Sequence, residues 1–179
     1  MANFMELAPR AQRQIIRRME PLEPPALHQA QAAYGWLELG NVEEAFAELE
    51  RLPEELQLLP AVQAVRLDCL MAAKDWNAAV KLAQVLCGQW GEEPGLWLHH
   101  AYASRRCAGG SIEAAYELLA PCVERFPEEW LIPYNVACYL CQMERLDEAR
   151  AMLEMARAKG GERVDTMAKD DEDLAPLNL

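Results

Sequence analysis

The residue types in this chain best suited to chemistry are its six cysteines, Cys69, Cys87, Cys107, Cys122, Cys138 and Cys141, and the adjacent pair His99-His100. Cys138-x-x-Cys141 has the spacing of a metal-binding or redox thiol pair, but a thiol metal site needs about four converging ligands. No second CxxC is present, and Cys122, His99 and His100 belong to other helical segments. Cysteines three apart on an alanine-rich helix are more often small packing residues than ligands. Neighbouring helical residues diverge by about 100°, so His99 and His100 do not readily share one ligand, and a core or edge role is expected for both.

The familiar catalytic patterns are missing as well. The chain has no GxxxxGK, no GxGxxG, no HExxH and no GxSxG. Ser104 and Ser111 are its only serines and Thr166 its only threonine, which leaves few hydroxyls for nucleophilic chemistry or for phosphorylation. The expectation is a protein that is not an enzyme, with no catalytic residue, no metal and no cofactor.

What positions these residues must be a substantial folded core, because 52% of the 179 residues are hydrophobic and only 26% are charged. A formal net charge of -12 repels a nucleic-acid backbone or an anionic membrane surface, so neither partner is expected. Charge is uneven: residues 1–20 carry Arg10, Arg13, Arg17 and Arg18 against Glu6 and Glu20, whereas the tail DTMAKDDEDL is strongly acidic. The N-terminal stretch lacks the apolar run of a signal peptide, and no window is apolar enough for a membrane span. A cytoplasmic protein with reduced thiols is the reading.

The elements that carry the core are written as a repeat. GNVEEAFAELERL (40–52) returns as KDWNAAVKLAQVL (74–86), GSIEAAYELLAPC (110–122) and ERLDEARAMLEMA (144–156). Each holds an alanine, Ala45, Ala79, Ala115 and Ala149, at spacings of 34, 36 and 34. Val42, Trp76, Ile112 and Leu146 lie three residues before, Leu49, Ala83, Leu119 and Leu153 four after, and Leu52, Leu86, Cys122 and Ala156 seven after. That is one helical face, repeated. A second apolar helical stretch precedes each, and turns are predicted at Gly40-Asn41, Lys74-Asp75, Ala108-Gly109-Gly110-Ser111 and Glu144-Arg145. The two extra residues of the third spacing fall in CAGGS, where glycine accommodates an insertion that helix packing would reject. Pro53 predicts a short second helix, or an irregular connection, in the first unit.

This helix-turn-helix unit, about 34 residues long with a fixed small residue in its second helix, resembles the tetratricopeptide repeat. Four units, about 26–59, 60–93, 94–129 and 130–161, cover most of the chain. They are flanked by a basic segment 1–25 with a capping helix over 9–20 and an acidic tail 162–179. In that tail a short helix through Val164 and Met167 is expected to run into a mobile end. The resemblance is close in period and in the second helix and looser in the first. The family's small first-helix residue is matched by Ala33, Ala101 and Ala137 but by Leu67 in the second unit, its early tryptophan only by Trp97, and its terminal proline only by Pro127.

The resemblance implies an all-α, right-handed solenoid whose first helices line a concave groove that binds partners. Carried over position by position, it implies a groove of Leu27, Ala30, Tyr34, Leu37 and Glu38, then Ala61, Ala64, Asp68, Met71 and Ala72. The third unit supplies Gly95, Leu98, Tyr102, Arg105 and Arg106, and the fourth Leu131, Tyr134, Cys138, Cys141 and Gln142. Among these, Leu27, Tyr34, Leu37, Asp68, Met71, Leu98, Tyr102, Arg105, Arg106, Leu131, Tyr134 and Cys138 are the partner-binding candidates: an exposed, mainly apolar and aromatic surface with one basic spot. Tyrosine and arginine are the residue types that dominate such interfaces. The alternative is that the tyrosines pack between helices and the arginines are solvated.

Repeats of this family that clamp the acidic tails of heat-shock chaperones use lysine, asparagine and arginine at positions occupied here by Ala30, Tyr34, Val65, Gly95 and His99. The clamp is absent. The leading expectation is a non-enzymatic, chaperone-like or scaffolding module that holds a peptide or amphipathic helix of another protein. A secretion chaperone of the translocator class is similar in size, acidity and repeat type. The alternative from another class is a self-associating structural protein, such as a homodimer, in which the basic N-terminus and the acidic tail pair between chains or the tail of one copy lies in the groove of the next.

Overall fold

A computed structural model describes residues 22–178, and among them every regular element is helical. The capping helix expected over 9–20 lies outside the described residues. The chain divides into two bodies, residues 22–99 and 100–178, with the division falling inside one helix.

In the N-terminal body, α1 (Ala26–Glu38) pairs with α2 (Val42–Glu50), a single turn α3 (Glu54–Gln57) follows Pro53, and α4 (Pro60–Ala72) pairs with α5 (Trp76–Gln89). Pro53, lacking an N–H, thus stands just outside the short α2 and caps α3. The helix α6 (Pro94–Arg106) crosses into the C-terminal body. There α7 (Ile112–Leu119) and the single turn α8 (Cys122–Arg125) precede α9 (Leu131–Gln142), which pairs with α10 (Leu146–Gly160). A short α11 (Glu162–Lys169) packs on α10, and a 3₁₀ helix (Glu172–Leu177) packs on α9 and α10.

The turns explain the period. Gly40, Lys74 and Glu144 adopt left-handed backbone (φ 74°, 57° and 60°) directly after the preceding helix. The next N–H then reaches back five residues, Asn41 to Trp36, Asp75 to Leu70 and Arg145 to Leu140, at 2.9–3.0 Å. This arrangement satisfies helix carbonyls that would otherwise be orphaned. Asn41, Asp75 and Ser111 then cap the following helix, each side-chain oxygen accepting the N–H three residues on. The turn from α6 to α7 is longer: α1, α4 and α6 start 34 residues apart, and both extra residues lie between Arg106 and Ser111. The left-handed position there is Gly109 (φ 75°), and a Cβ on Gly110 would come within 2.0 Å of the Ser104 carbonyl oxygen. Only glycine fits.

The core is the repeated face. Ala45, Ala79, Ala115 and Ala149 are wholly buried, and so are Leu49, Ala83, Leu119 and Leu153 four residues on. Alanine marks the closest approach between helices, and leucine fills the space beside it. Ala33, Leu67, Ala101 and Ala137 on the preceding helices are equally buried. No described helix is long and apolar enough to cross a membrane.

The acidic tail, whose end was expected to be mobile, folds into the 3₁₀ helix: Leu174 and Leu177 are each 1% exposed, and Asp171 is buried. Leu174 and Leu177 lie three apart, and one helical turn brings them to a single face.

Candidate functional site

Arg105, Tyr134 and Cys138, among the partner-binding candidates of the C-terminal body, converge on that tail. The Tyr134 hydroxyl donates to Asp171 Oδ2 at 2.9 Å, and the Cys138 thiol points at the same oxygen at 3.7 Å. Both are on α9, four residues apart, which places them on one face. Asp171 Oδ1 accepts the backbone N–H of Asp173, so this carboxylate caps the 3₁₀ helix while its other oxygen faces α9. From α6, Arg105 grips Asp173 with both ends of its guanidinium, at 2.7 and 3.2 Å. A planar fork against a carboxylate is the strongest pairing that these side chains offer. Gln142 donates to the Asp173 carbonyl, and Arg150 of α10 to the Leu177 carbonyl.

The electrostatics follow the geometry. Burial pushes the Tyr134 hydroxyl far above its usual range, reinforced by Cys138 and Asp171 beside it. The Cys138 thiol is pushed well up for the same reason, burial first and Asp171 second. The hydrogen bond that Arg105 donates to Asp173 holds its guanidinium above the ordinary value. Arg106 goes the other way, lowered by burial, while it stacks 3.4 Å from the centre of the Tyr102 ring.

The candidates of the N-terminal body form a different group. Tyr34 of α1 donates to Asp68 Oδ2 of α4 at 2.7 Å, and Asp68 Oδ1 meets His99 Nε2 at 3.2 Å. His99 Nδ1 lies 2.7 Å from the Gly95 carbonyl, so both ring nitrogens face acceptor oxygens. All three side chains are buried. They form a closed polar chain inside the body, with no reacting atom presented to solvent.

The expected exposed apolar groove is therefore corrected. Tyr34, Asp68, Met71, Leu98, Leu131, Tyr134 and Cys138 are buried, and only Leu27, Leu37, Tyr102, Arg105 and Arg106 keep partial exposure. The tyrosines at the two centres end on carboxylates, and Arg105 is engaged by the tail. Asp171 and Asp173 are the participants that sequence reading missed. Their signal was present: an Asp-x-Asp capping pattern directly before Leu-x-x-Leu, in a chain whose groove candidates hold one basic spot.

A second surface lies elsewhere in the C-terminal body. An open apolar groove of about 500 Å³ runs between α7, α8, α9 and α10, lined by Tyr116, Val123, Leu140, Met152 and Met155 with Glu124 and Glu148.

Cys138 and Cys141 are both buried in the α9 interface, as packing residues would be. Burial raises the Cys141 thiol to about 11, Cys122 to about 11 and Cys69 to about 12, which leaves them protonated and inert near neutrality. Among the described residues, no three His, Cys, Asp or Glu side chains are grouped to hold a metal ion. His99 and His100 are buried, as expected of core residues, and burial lowers the His100 imidazole.

Compared with protein-family models, with curated proteins and with solved structures, the chain finds no match in any of the three.

Proposed function

We propose that this chain is a non-enzymatic protein-interaction module, a cytoplasmic scaffold or chaperone-like adaptor built as a right-handed solenoid of tetratricopeptide repeats. Its working surface is the face of the first helices, which takes a short segment of a partner protein. One observation carries the reading. Arg105, Tyr134 and Cys138, chosen from the repeat register alone, converge on a single short peptide segment and hold it by side-chain contacts. A face that presents a planar guanidinium, a tyrosine hydroxyl and buried apolar floor to a short segment is the physical description of a peptide site. The 34-residue recurrence of turn, cap and buried alanine supports the repeat architecture.

The test is site-specific cross-linking in native lysate. A photoreactive residue at Tyr102, beside the proposed face, is expected to capture a partner that one at Met155, in the α7–α10 groove, does not. Capture at Met155 alone moves the working surface to that groove and overturns the assignment.

A further inference from the structure

Side chains seat the tail on the helices around it. The backbone N–H groups of Asp173, Leu174 and Asn178 bond within the tail itself, to Asp171 and Ala175. Its ties to α6, α9 and α10 come from side chains: Arg105, Tyr134, Cys138, Gln142 and Arg150 supply the donors. Leu174 and Leu177 supply the buried apolar surface. Two carboxylates two residues apart, then two leucines three apart, is a complete recognition pattern compressed into seven residues, Asp171 to Leu177. The segment is folded on itself and seated through side chains. Those are the properties of a bound ligand.

We propose that the tail is an internal stand-in for the partner: the site made by Arg105, Tyr134, Cys138, Gln142 and Arg150 binds in trans an acidic-apolar segment of another protein with the pattern Asp-x-Asp-Leu-x-x-Leu, and the chain's own tail must leave to admit it. This rests on the interaction-module reading and names the chemistry of its partner. Local charge complementarity favours such an occupant, because the Arg105 guanidinium is matched by the Asp173 carboxylate with two hydrogen bonds. The tether makes the tail a strong competitor. A short linker holds a segment at an effective concentration on the order of millimolar, so a free peptide binds visibly only when the tail's own grip is loosened.

The probe is a fluorescein-labelled peptide of residues 170–179, DDEDLAPLNL. It is titrated by fluorescence anisotropy into the full-length chain and into full-length Asp171→Asn/Asp173→Asn. The variant is expected to bind at least about tenfold more tightly than the wild type, as release of a tethered competitor requires. A peptide carrying the same two asparagines should not bind, and Arg105→Glu added to the variant should abolish binding. Equal affinity for wild type and variant overturns the proposal.

A second measurement, on the wild type alone, covers a variant that does not fold. In native-state hydrogen exchange the Asp173 and Leu174 amides should open at least about tenfold more readily than the α9 interior, as a locally detachable segment does. Alkylation of Cys138 should follow the same opening. Exchange of tail and α9 amides in one cooperative step makes the tail a fixed cap and removes the inference. A concentration-dependent dimer that the peptide dissolves assigns the site to the tail of a second copy and overturns the partner-protein form. A partner cross-linked at Tyr102 whose capture is indifferent to the peptide leaves the interaction module standing while sinking this inference.

Discussion

In each body of the molecule a buried tyrosine hydroxyl ends on a buried carboxylate: Tyr34 on Asp68 at 2.7 Å, Tyr134 on Asp171 at 2.9 Å. The difference is where the carboxylate comes from. Asp68 is built into α4 with helix on either side and is held a second time by His99. Asp171 stands at the start of the terminal 3₁₀ helix and is held by α9 side chains and its own capping bond. The same polar solution is thus structural in one body, where it cannot leave without unfolding a helix, and detachable in the other. A buried hydroxyl must have a partner in either case, but only the second partner sits on a segment that can move away.

The largest expected effects break that comparison directly. Asp68→Ala removes the carboxylate that Tyr34 and His99 share in the interior, and removing one member of a buried charged network costs about 3–5 kcal/mol. Equilibrium urea unfolding should show a large fall in midpoint. Asp171→Ala should cost less, about 1–3 kcal/mol for an unsatisfied hydroxyl that water reaches once the tail lifts. Its signature is selective: faster alkylation of Cys138 with little change at Cys69. Equal losses and no selective labelling would mean that the two carboxylates play the same role.

Packing comes next. Ala79→Leu overfills the closest approach between helices in the N-terminal body and should destabilise by roughly 1–3 kcal/mol; Ala149→Leu should do the same in the C-terminal body. An unchanged urea midpoint for either would separate the two repeat faces that the buried alanines equate. Smaller again is Asn41→Ala, which removes a helix cap in the N-terminal body at about 1 kcal/mol. Thermal melting should register it as a shift of a few degrees.

The last effect vanishes at neutral pH. Cys69, Cys122 and Cys141 are raised above the ordinary thiol value of 9.0, to about 12, 11 and 11, and Cys138 is raised as well. A raised acid is ionised in the unfolded chain before it is ionised in the folded one, so the unfolded state releases protons first. Stability is therefore fully present below pH 9 and falls as pH rises from 9 towards 11–12. Urea midpoints that stay flat across that window would place these thiols in water. Three of these four cysteines lie in the C-terminal body, so its loss should be the steeper.

Periodicity determined much of this protein from sequence alone. A helical face shows in the identities of residues three, four and seven apart, because a helix turns at a fixed rate wherever it sits. Ala45, Ala79, Ala115 and Ala149 could thus be named as packing centres, the insertion placed in the turn before Ser111, and Pro53 read as the end of a short helix. Cys138 and Cys141 were legible as packing residues for the same reason. Tertiary structure alone decided which partners the polar side chains take. Tyr34 with Asp68 joins residues 34 apart, Tyr134 with Asp171 residues 37 apart and Arg105 with Asp173 residues 68 apart. No local pattern encodes such pairings, since a carboxylate satisfies any donor that folding brings within reach. Local geometry repeats along a chain and can be counted; a contact between distant residues exists only once the chain has closed around it.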